Sequence, residues 1–162
     1  MKLLPLANGI DYAIVDDEDF ERLSNFIWGK NKTSIFRQTM VDVSPFYHEK
    51  VKVAIPLANE VMQKFNCIFD HKDIDFKNNQ KLNLREATYS QNNHNHRKRR
   101  GYYSSKYKGV SFRASDKKWI SSITKNGYKY YIGYFESEVD AAIAYNNKAI
   151  ELYGNFANIN VI

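Results

Sequence analysis

Asp70 stands beside His71, and two carboxamides, Asn83 and Asn92, follow at longer spacing with Asn78, Asn79, Gln91 and Asn93 around them. An acid next to a histidine, with carboxamides in reach, is the set a single-metal phosphodiesterase needs. A carboxylate and a carboxamide oxygen suit a hard ion such as Mg²⁺, which keeps several waters and contacts phosphate oxygens. A neutral imidazole can take the proton from an attacking water, and a second carboxamide can fix its tautomer and ring orientation. The metal would stabilise charge on the leaving oxygen. An Asp-His pair is also common as a surface or capping feature, so spacing alone leaves both readings open.

The elements that must position these residues are only partly visible. Asp16-Asp17-Glu18-Asp19-Phe20-Glu21 places acids in the first turn of a helix, where the macrodipole favours them, and Leu23, Phe26 and Ile27 supply its apolar face. Lys50 to Ala54 alternates charged and apolar residues as a half-buried strand does. Residues 63–96 are polar, Asn-rich and poor in β-branched residues, which predicts loop-dominated structure held by side-chain hydrogen bonds.

Charge is concentrated in one block. Residues 1–96 carry 12 basic and 13 acidic side chains, residues 97–130 carry 11 and 1, and residues 131–162 carry 1 and 4. Such a local field favours a polyanion, and neutralisation of phosphates by Lys and Arg is the sequence-independent part of nucleic-acid binding. The basic residues are interleaved with Tyr102, Tyr103, Tyr107, Phe112, Trp119, Tyr128, Tyr130 and Tyr131. Within the block, residues 97–105 read as a linker, with Arg97, Lys98, Arg99 and Arg100 placed to clamp a phosphate backbone. This divides the chain into 1–96, the linker 97–105, and 106–162. His94, His96 and Cys67 read as solvated residues rather than a metal set, and His48, after Pro45-Phe46-Tyr47, has no role.

After the linker the pattern is regular. Tyr107 to Arg113, Trp119 to Lys125 and Tyr128 to Phe135 are β-type segments, and Asn126-Gly127 between the last two is a strong hairpin signal. Ser137 can cap a helix in which Val139, Ala142, Ile143, Ala149, Ile150 and Tyr153 fall near one face and which Gly154 stops. A three-stranded antiparallel sheet packed on one helix, with its other face free, is the expected architecture. Trp119 is expected to pack under the helix.

The stretch Asp70-His71-Lys72-Asp73-Ile74-Asp75-Phe76-Lys77-Asn78-Asn79-Gln80-Lys81-Leu82-Asn83-Leu84-Arg85, continuing to Asn92-Asn93, resembles the HNH nuclease signature of phage and intron homing endonucleases. Asp11 to Trp28 resembles the region that commonly precedes it. The resemblance implies a ββα-metal module in which Asp70 and Asn92 hold the divalent ion, His71 is the general base and Asn83 orients His71. The chain departs from the usual pattern at Lys72-Asp73-Ile74, where Asn-Gly often follows an Asp-His-Ile unit, and at Ala58-Asn59, where a His-Arg pair is common. Residues 104–160, including Tyr107-Lys108-Gly109-Val110-Ser111-Phe112-Arg113, Tyr131-Ile132-Gly133-Tyr134-Phe135 and Gly154-Asn155-Phe156-Ala157-Asn158, resemble the Apetala/ethylene-response-factor DNA-binding domain. That resemblance implies a sheet laid in the major groove and matches Lys108, Ser111, Arg113, Ser122, Thr124, Lys129, Tyr131 and Tyr134 to DNA-contacting positions. Lys108, Arg113 and Lys129 are the residues expected on phosphate or guanine.

Composition sets the remaining bounds. The longest uncharged apolar run, Val53 to Ala58, is far short of the roughly 20 residues of a transmembrane helix, and one cysteine excludes an internal disulfide framework. The N-terminal residues do not read as a secretory signal, which predicts an intracellular protein; the resemblance to homing endonucleases implies one encoded by a phage or mobile element and cytoplasmic in a bacterial host cell. The sequence therefore reads as α+β: an HNH nuclease module, 1–96, joined to a DNA reader, 106–162. It is expected to be a homing-type endonuclease hydrolysing double-stranded DNA with one Mg²⁺ or Mn²⁺, as a monomer or a DNA-bound dimer. The alternative is a catalytically inactive DNA-binding transcriptional regulator derived from such a nuclease.

Overall fold

The computed structural model describes residues 1–42, 50–96, 98, 101–125 and 127–162, with only the backbone of residue 42. Arg97, Arg99 and Arg100 of the expected clamp, Asn126 of the hairpin turn, and His48 with Pro45-Phe46-Tyr47 lie outside the described residues. The architecture is mixed α+β, with several small antiparallel sheets and few helices. By internal contacts the chain forms two units, Met1–Thr88 and Tyr89–Ile162. Helix 89–94 and Lys98 thus group with the second unit.

In the first unit, β1 (Lys2–Pro5) pairs with β2 (Tyr12–Val15), and α1 (Asp17–Ser24) follows. A second sheet has the order β3 (Gly29–Lys30), β4 (Ile35–Asp42), β5 (Lys50–Pro56) and leads into α2 (Leu57–Met62). The hairpin of β6 (Ile68–His71) and β7 (Leu84–Ala87) completes the unit. Leu4, Ala13, Val15, Leu23, Trp28, Leu57, Val61, Phe69 and Leu84 share one core, so the hairpin is anchored by one apolar residue from each strand. Trp28 also donates from its indole nitrogen to the Leu23 carbonyl at 2.9 Å, closing the end of α1.

One expectation is corrected by the end of α1. Ile27 is not on a helical apolar face: α1 ends at Ser24, and Ile27 is 81% exposed while Trp28 takes the core position. Residues 63–96 are loop-rich and held by side-chain hydrogen bonds as expected, with β6, β7 and α3 (Tyr89–His94) as their short regular pieces. These strands are four residues long and carry charged side chains, so no hydrophobic alternation announces them.

In the second unit, β8 (Val110–Arg113), β9 (Lys118–Lys125) and β10 (Tyr128–Phe135) form an antiparallel sheet in the order β10-β9-β8, and α4 (Glu138–Tyr153) packs on it. Ser137 caps α4 by accepting from the amides of Val139 and Asp140. The buried stripe of α4 is Ala141, Ala142, Tyr145 and Ala149, while Val139, Ile143 and Ile150, expected on it, are exposed. Small residues win because they let the helix lie close to the sheet. Trp119 packs against the cluster containing Ala141 and Ala142. No helix among the described residues is long and apolar enough to cross a membrane.

Candidate active site

The strand β6 ends on Asp70 and His71. Antiparallel register sets Asp70 opposite Arg85 and His71 opposite Leu84. Asp70 is 3% exposed, and the guanidinium of Arg85 meets its Oδ2 through Nε at 2.8 Å and Nη2 at 2.6 Å. A buried carboxylate requires such a partner. The sequence reading did not single out Arg85, although cross-strand pairing of an acid and an arginine is the signal that could have found it.

His71 is held from the other side of the loop. Its Nε2 lies 3.1 Å from Oδ1 of Asn79, a residue only 1% exposed. The Asn79 amide nitrogen donates to the Phe76 carbonyl at 2.9 Å. Its Oδ1 is therefore the acceptor, His71 Nε2 carries the hydrogen, and Nδ1 is the basic nitrogen of the neutral ring. Asn83 was expected in this role. Its amide nitrogen instead donates to Asp73 Oδ1 at 2.9 Å and to the Asn78 carbonyl at 2.7 Å, and its Oδ1 accepts from the Asp73 amide at 3.2 Å. Asn83 organises the loop, and Asn79 is the carboxamide found against the imidazole. Between His71 and Asn79, Ile74 has φ 65, a conformation strained for a β-branched residue, and its amide donates to the His71 carbonyl at 3.0 Å.

The loop is fixed to the N-terminal elements by both backbone and charge. Ile14 donates to the Lys77 carbonyl at 2.7 Å and its own carbonyl accepts from the Asn79 amide at 2.8 Å, so β2 grips the backbone of the residue that holds His71. Asp16 makes no side-chain cap on α1; its carboxylate accepts from Gln80 Nε2 at 3.0 Å and from the Lys81 amide at 2.8 Å. Lys81 pairs with Glu18 and, at 3.0 Å, with Asp19. Lys77 and Lys30 each reach Asp11 at 2.7 Å, and together they hold its carboxyl well below the usual carboxylate range. The acidic start of α1, read above as complementing the helix dipole, also grips this loop.

Ala58 and Asn59, where the family pattern often has His-Arg, are buried. Asn59 donates to the Lys64 and Cys67 carbonyls, both at 2.8 Å, and so sets the approach to β6.

Asn92 lies on α3, in the second unit. The Lys108 ammonium donates to the His94 carbonyl at 3.1 Å and the His96 carbonyl at 2.7 Å, and the His94 ring stacks on Tyr153 at 3.7 Å. His94 is thus a packing residue rather than a solvated one; burial, with Lys108 and Lys125 nearby, lowers its pKa. Among the described residues, no three His, Cys, Asp or Glu side chains gather into a cation site. Donors of the type of Asp70 and Asn92, one carboxylate and one carboxamide, fit a hard ion that keeps most of its waters, as Mg²⁺ does.

The second unit carries the expected nucleic-acid residues. Strand alternation and register put Ser111, Arg113, Ser122, Thr124, Lys129, Tyr131 and Tyr134 on the sheet face opposite α4, with Tyr131 opposite Ser122 and Lys129 opposite Thr124. A bulge between Tyr131 and Gly133 keeps Tyr134 on that face. Tyr131 and Tyr134 are 65% and 51% exposed, and Arg113 Nη1 donates to the Tyr134 hydroxyl at 3.1 Å. Two lysines are placed differently. Lys108 sits before β8, where burial lowers its pKa and its ammonium serves the carbonyls named above. Lys98 donates to the Ser105 and Tyr107 carbonyls at 2.7 and 2.8 Å, and so fastens the linker to the second unit.

Over 93 residues the chain is 40% identical to a protein of Acanthamoeba polyphaga mimivirus named as an uncharacterized HNH endonuclease; the match covers 57% of this chain. The chain spans 46%, less than half, of that protein's length. No family model and no solved structure matches the chain.

Proposed function

We propose that the chain is a metal-dependent HNH-type DNA endonuclease of the homing class, with an N-terminal catalytic module and a C-terminal sheet that reads duplex DNA. The observation that carries the reading is the Asp70-His71 pair at the end of β6: a buried carboxylate beside an imidazole whose Nε2 is fixed by the buried Asn79. The likeness to the mimivirus protein supports it at family level. A buried aspartate beside a half-buried histidine with a dedicated orienting amide exceeds what a capping feature needs.

His71 accepts the proton of a water attacking the phosphorus, and Asn79 holds the ring so that the basic nitrogen faces that water. Asp70 would help to hold one Mg²⁺ or Mn²⁺, which would supply charge stabilisation for the leaving 3′ oxygen. Arg113, Lys129, Tyr131 and Tyr134, with Ser111, Ser122 and Thr124 between them, present a polar, cationic and aromatic face of the kind that fits the major groove, as in the Apetala/ethylene-response-factor domain that this unit resembles.

Cleavage of supercoiled plasmid carrying DNA of the source genome, with and without Mg²⁺, tests the reading. Metal-dependent nicking that is lost in His71→Ala is expected. Tight binding of that DNA without cleavage in Mg²⁺ or Mn²⁺ would leave the regulator as the better account.

A further inference from the structure

We propose that Arg85 competes with the divalent ion for Asp70 and transfers to the DNA phosphate backbone when the substrate arrives, so that metal and DNA bind cooperatively. This rests on the endonuclease reading above. The contact is built into the hairpin: register sets the two residues opposite each other, and both Nε and Nη2 of Arg85 converge on the single oxygen Oδ2. The side chains are only 16% and 4% exposed, so solvent and salt screen the pair weakly.

A carboxylate oxygen already accepting two charge-assisted hydrogen bonds has little electron density to offer a second cation. A divalent ion at Oδ2 would also lie within a few ångströms of a like charge that cannot be lost by deprotonation. The guanidinium must move before Oδ2 is available, and a part-buried guanidinium without an anion is costly. A phosphodiester resolves this, because its oxygens match the planar fork of an arginine. DNA therefore frees Asp70 for the metal by giving Arg85 another partner. Linkage requires that the metal tighten DNA binding by the same factor. The arrangement would keep the metal site weak away from DNA.

The experiment is a Mn²⁺ titration, followed by electron paramagnetic resonance, of the full-length His71→Ala protein with and without mixed-sequence duplex DNA. It is repeated with Asp70→Asn, Arg85→Gln and Arg85→Lys added in turn. DNA is expected to tighten Mn²⁺ binding by about tenfold or more, within the usual span of coupled sites. Arg85→Gln is expected to bind Mn²⁺ more tightly by a similar factor without DNA, and to lose most of the coupling. Arg85→Lys keeps a cation in the hairpin should the Gln variant fail to fold, but cannot meet Oδ2 with a planar fork; it should also bind Mn²⁺ more tightly than its parent without DNA. If Asp70→Asn leaves Mn²⁺ binding unchanged, the metal-site reading falls and this inference with it. If Asp70→Asn abolishes binding while DNA does not change the parent's Mn²⁺ affinity, or the folded Arg85 variants match the parent, the inference alone is overturned.

Discussion

Oδ1 of Asn79 lies 3.1 Å from Nε2 of His71, and the backbone amide of the same asparagine is bonded to the Ile14 carbonyl at 2.8 Å. The imidazole is thereby referenced to β2 rather than to its own hairpin alone. Asn79→Ala removes the acceptor that fixes the tautomer, and a misdirected base costs roughly 10²-fold in rate. Cleavage should fall by about that factor with DNA affinity unchanged, whereas His71→Ala should abolish cleavage. Asn83→Ala, which frees the Asp73 and Asn78 contacts, should lower thermal stability more than Asn79→Ala does. Single-turnover cleavage, filter binding and thermal melts of the three variants separate these effects.

Gly109 has φ +76, and a Cβ there would stand 2.0 Å from Tyr145 Cδ2 and 2.6 Å from the Ser122 carbonyl oxygen. The backbone oxygen cannot swing away as the end of a side chain could. Gly109→Ala should therefore cost more than about 2 kcal/mol, from the left-handed conformation and from overpacking against α4. A thermal melt should show the loss. An unchanged melting temperature would mean that α4 does not approach the sheet this closely.

How legible these features were depended on what each residue does. The strands of the second unit were readable because each supplies several β-branched or aromatic residues. The hairpin β6-β7 was not readable from periodicity, because within Ile68–His71 and Leu84–Ala87 the charged residues Asp70, Arg85 and Glu86 interrupt the apolar pattern; only the family resemblance pointed to it. Asp70 and His71 were identifiable from their adjacency. Asn79 was one carboxamide among several, and its distinction lies in burial and in the Phe76 carbonyl that fixes its orientation. Of the residues expected on the buried face of α4, Ala142 and Ala149 are there, while Val139, Ile143 and Ile150 are exposed and Ala141 and Tyr145 take the remaining places, because small side chains let the helix lie close to the sheet.

The acid limb of stability should report the pinned loop. Asp11 is depressed by hydrogen bonds from Lys30 and Lys77, then Asn8. At Asp73 the raising effect of burial is the largest single influence, yet donors from Asp75, Asn83 and Asn78 together outweigh it and lower the pKa. Both groups have folded pKa values below the unfolded value of about 3.9. Their contribution is thus complete above that pH and is lost as pH falls through the folded values, because the unfolded chain takes up protons first. Melting temperature should decline below about pH 4, and Asp11→Asn should lower it at neutral pH while flattening the acid decline. An Asp11→Asn protein with an unaltered pH profile would remove the Lys30–Asp11–Lys77 bridge from the account.

Arg113 offers the sharpest test of the open sheet face. Its guanidinium is shared among Ser115 at 3.1 Å, Asp116 at 3.4 Å and the Tyr134 hydroxyl at 3.1 Å, so it is aimed across the face before any ligand arrives. If it meets phosphate, Arg113→Ala should weaken binding to all duplexes alike and reduce the slope of log affinity against log salt by about one. If it reads guanine, the loss should be confined to particular sequences, at about 1–3 kcal/mol. Lys108→Ala provides the contrast: with its ammonium engaged by the His94 and His96 carbonyls, it should lower the melting temperature and leave the salt slope unchanged. Equal salt slopes for wild type and Arg113→Ala, with no sequence-dependent loss, would show that this face is not where the DNA binds.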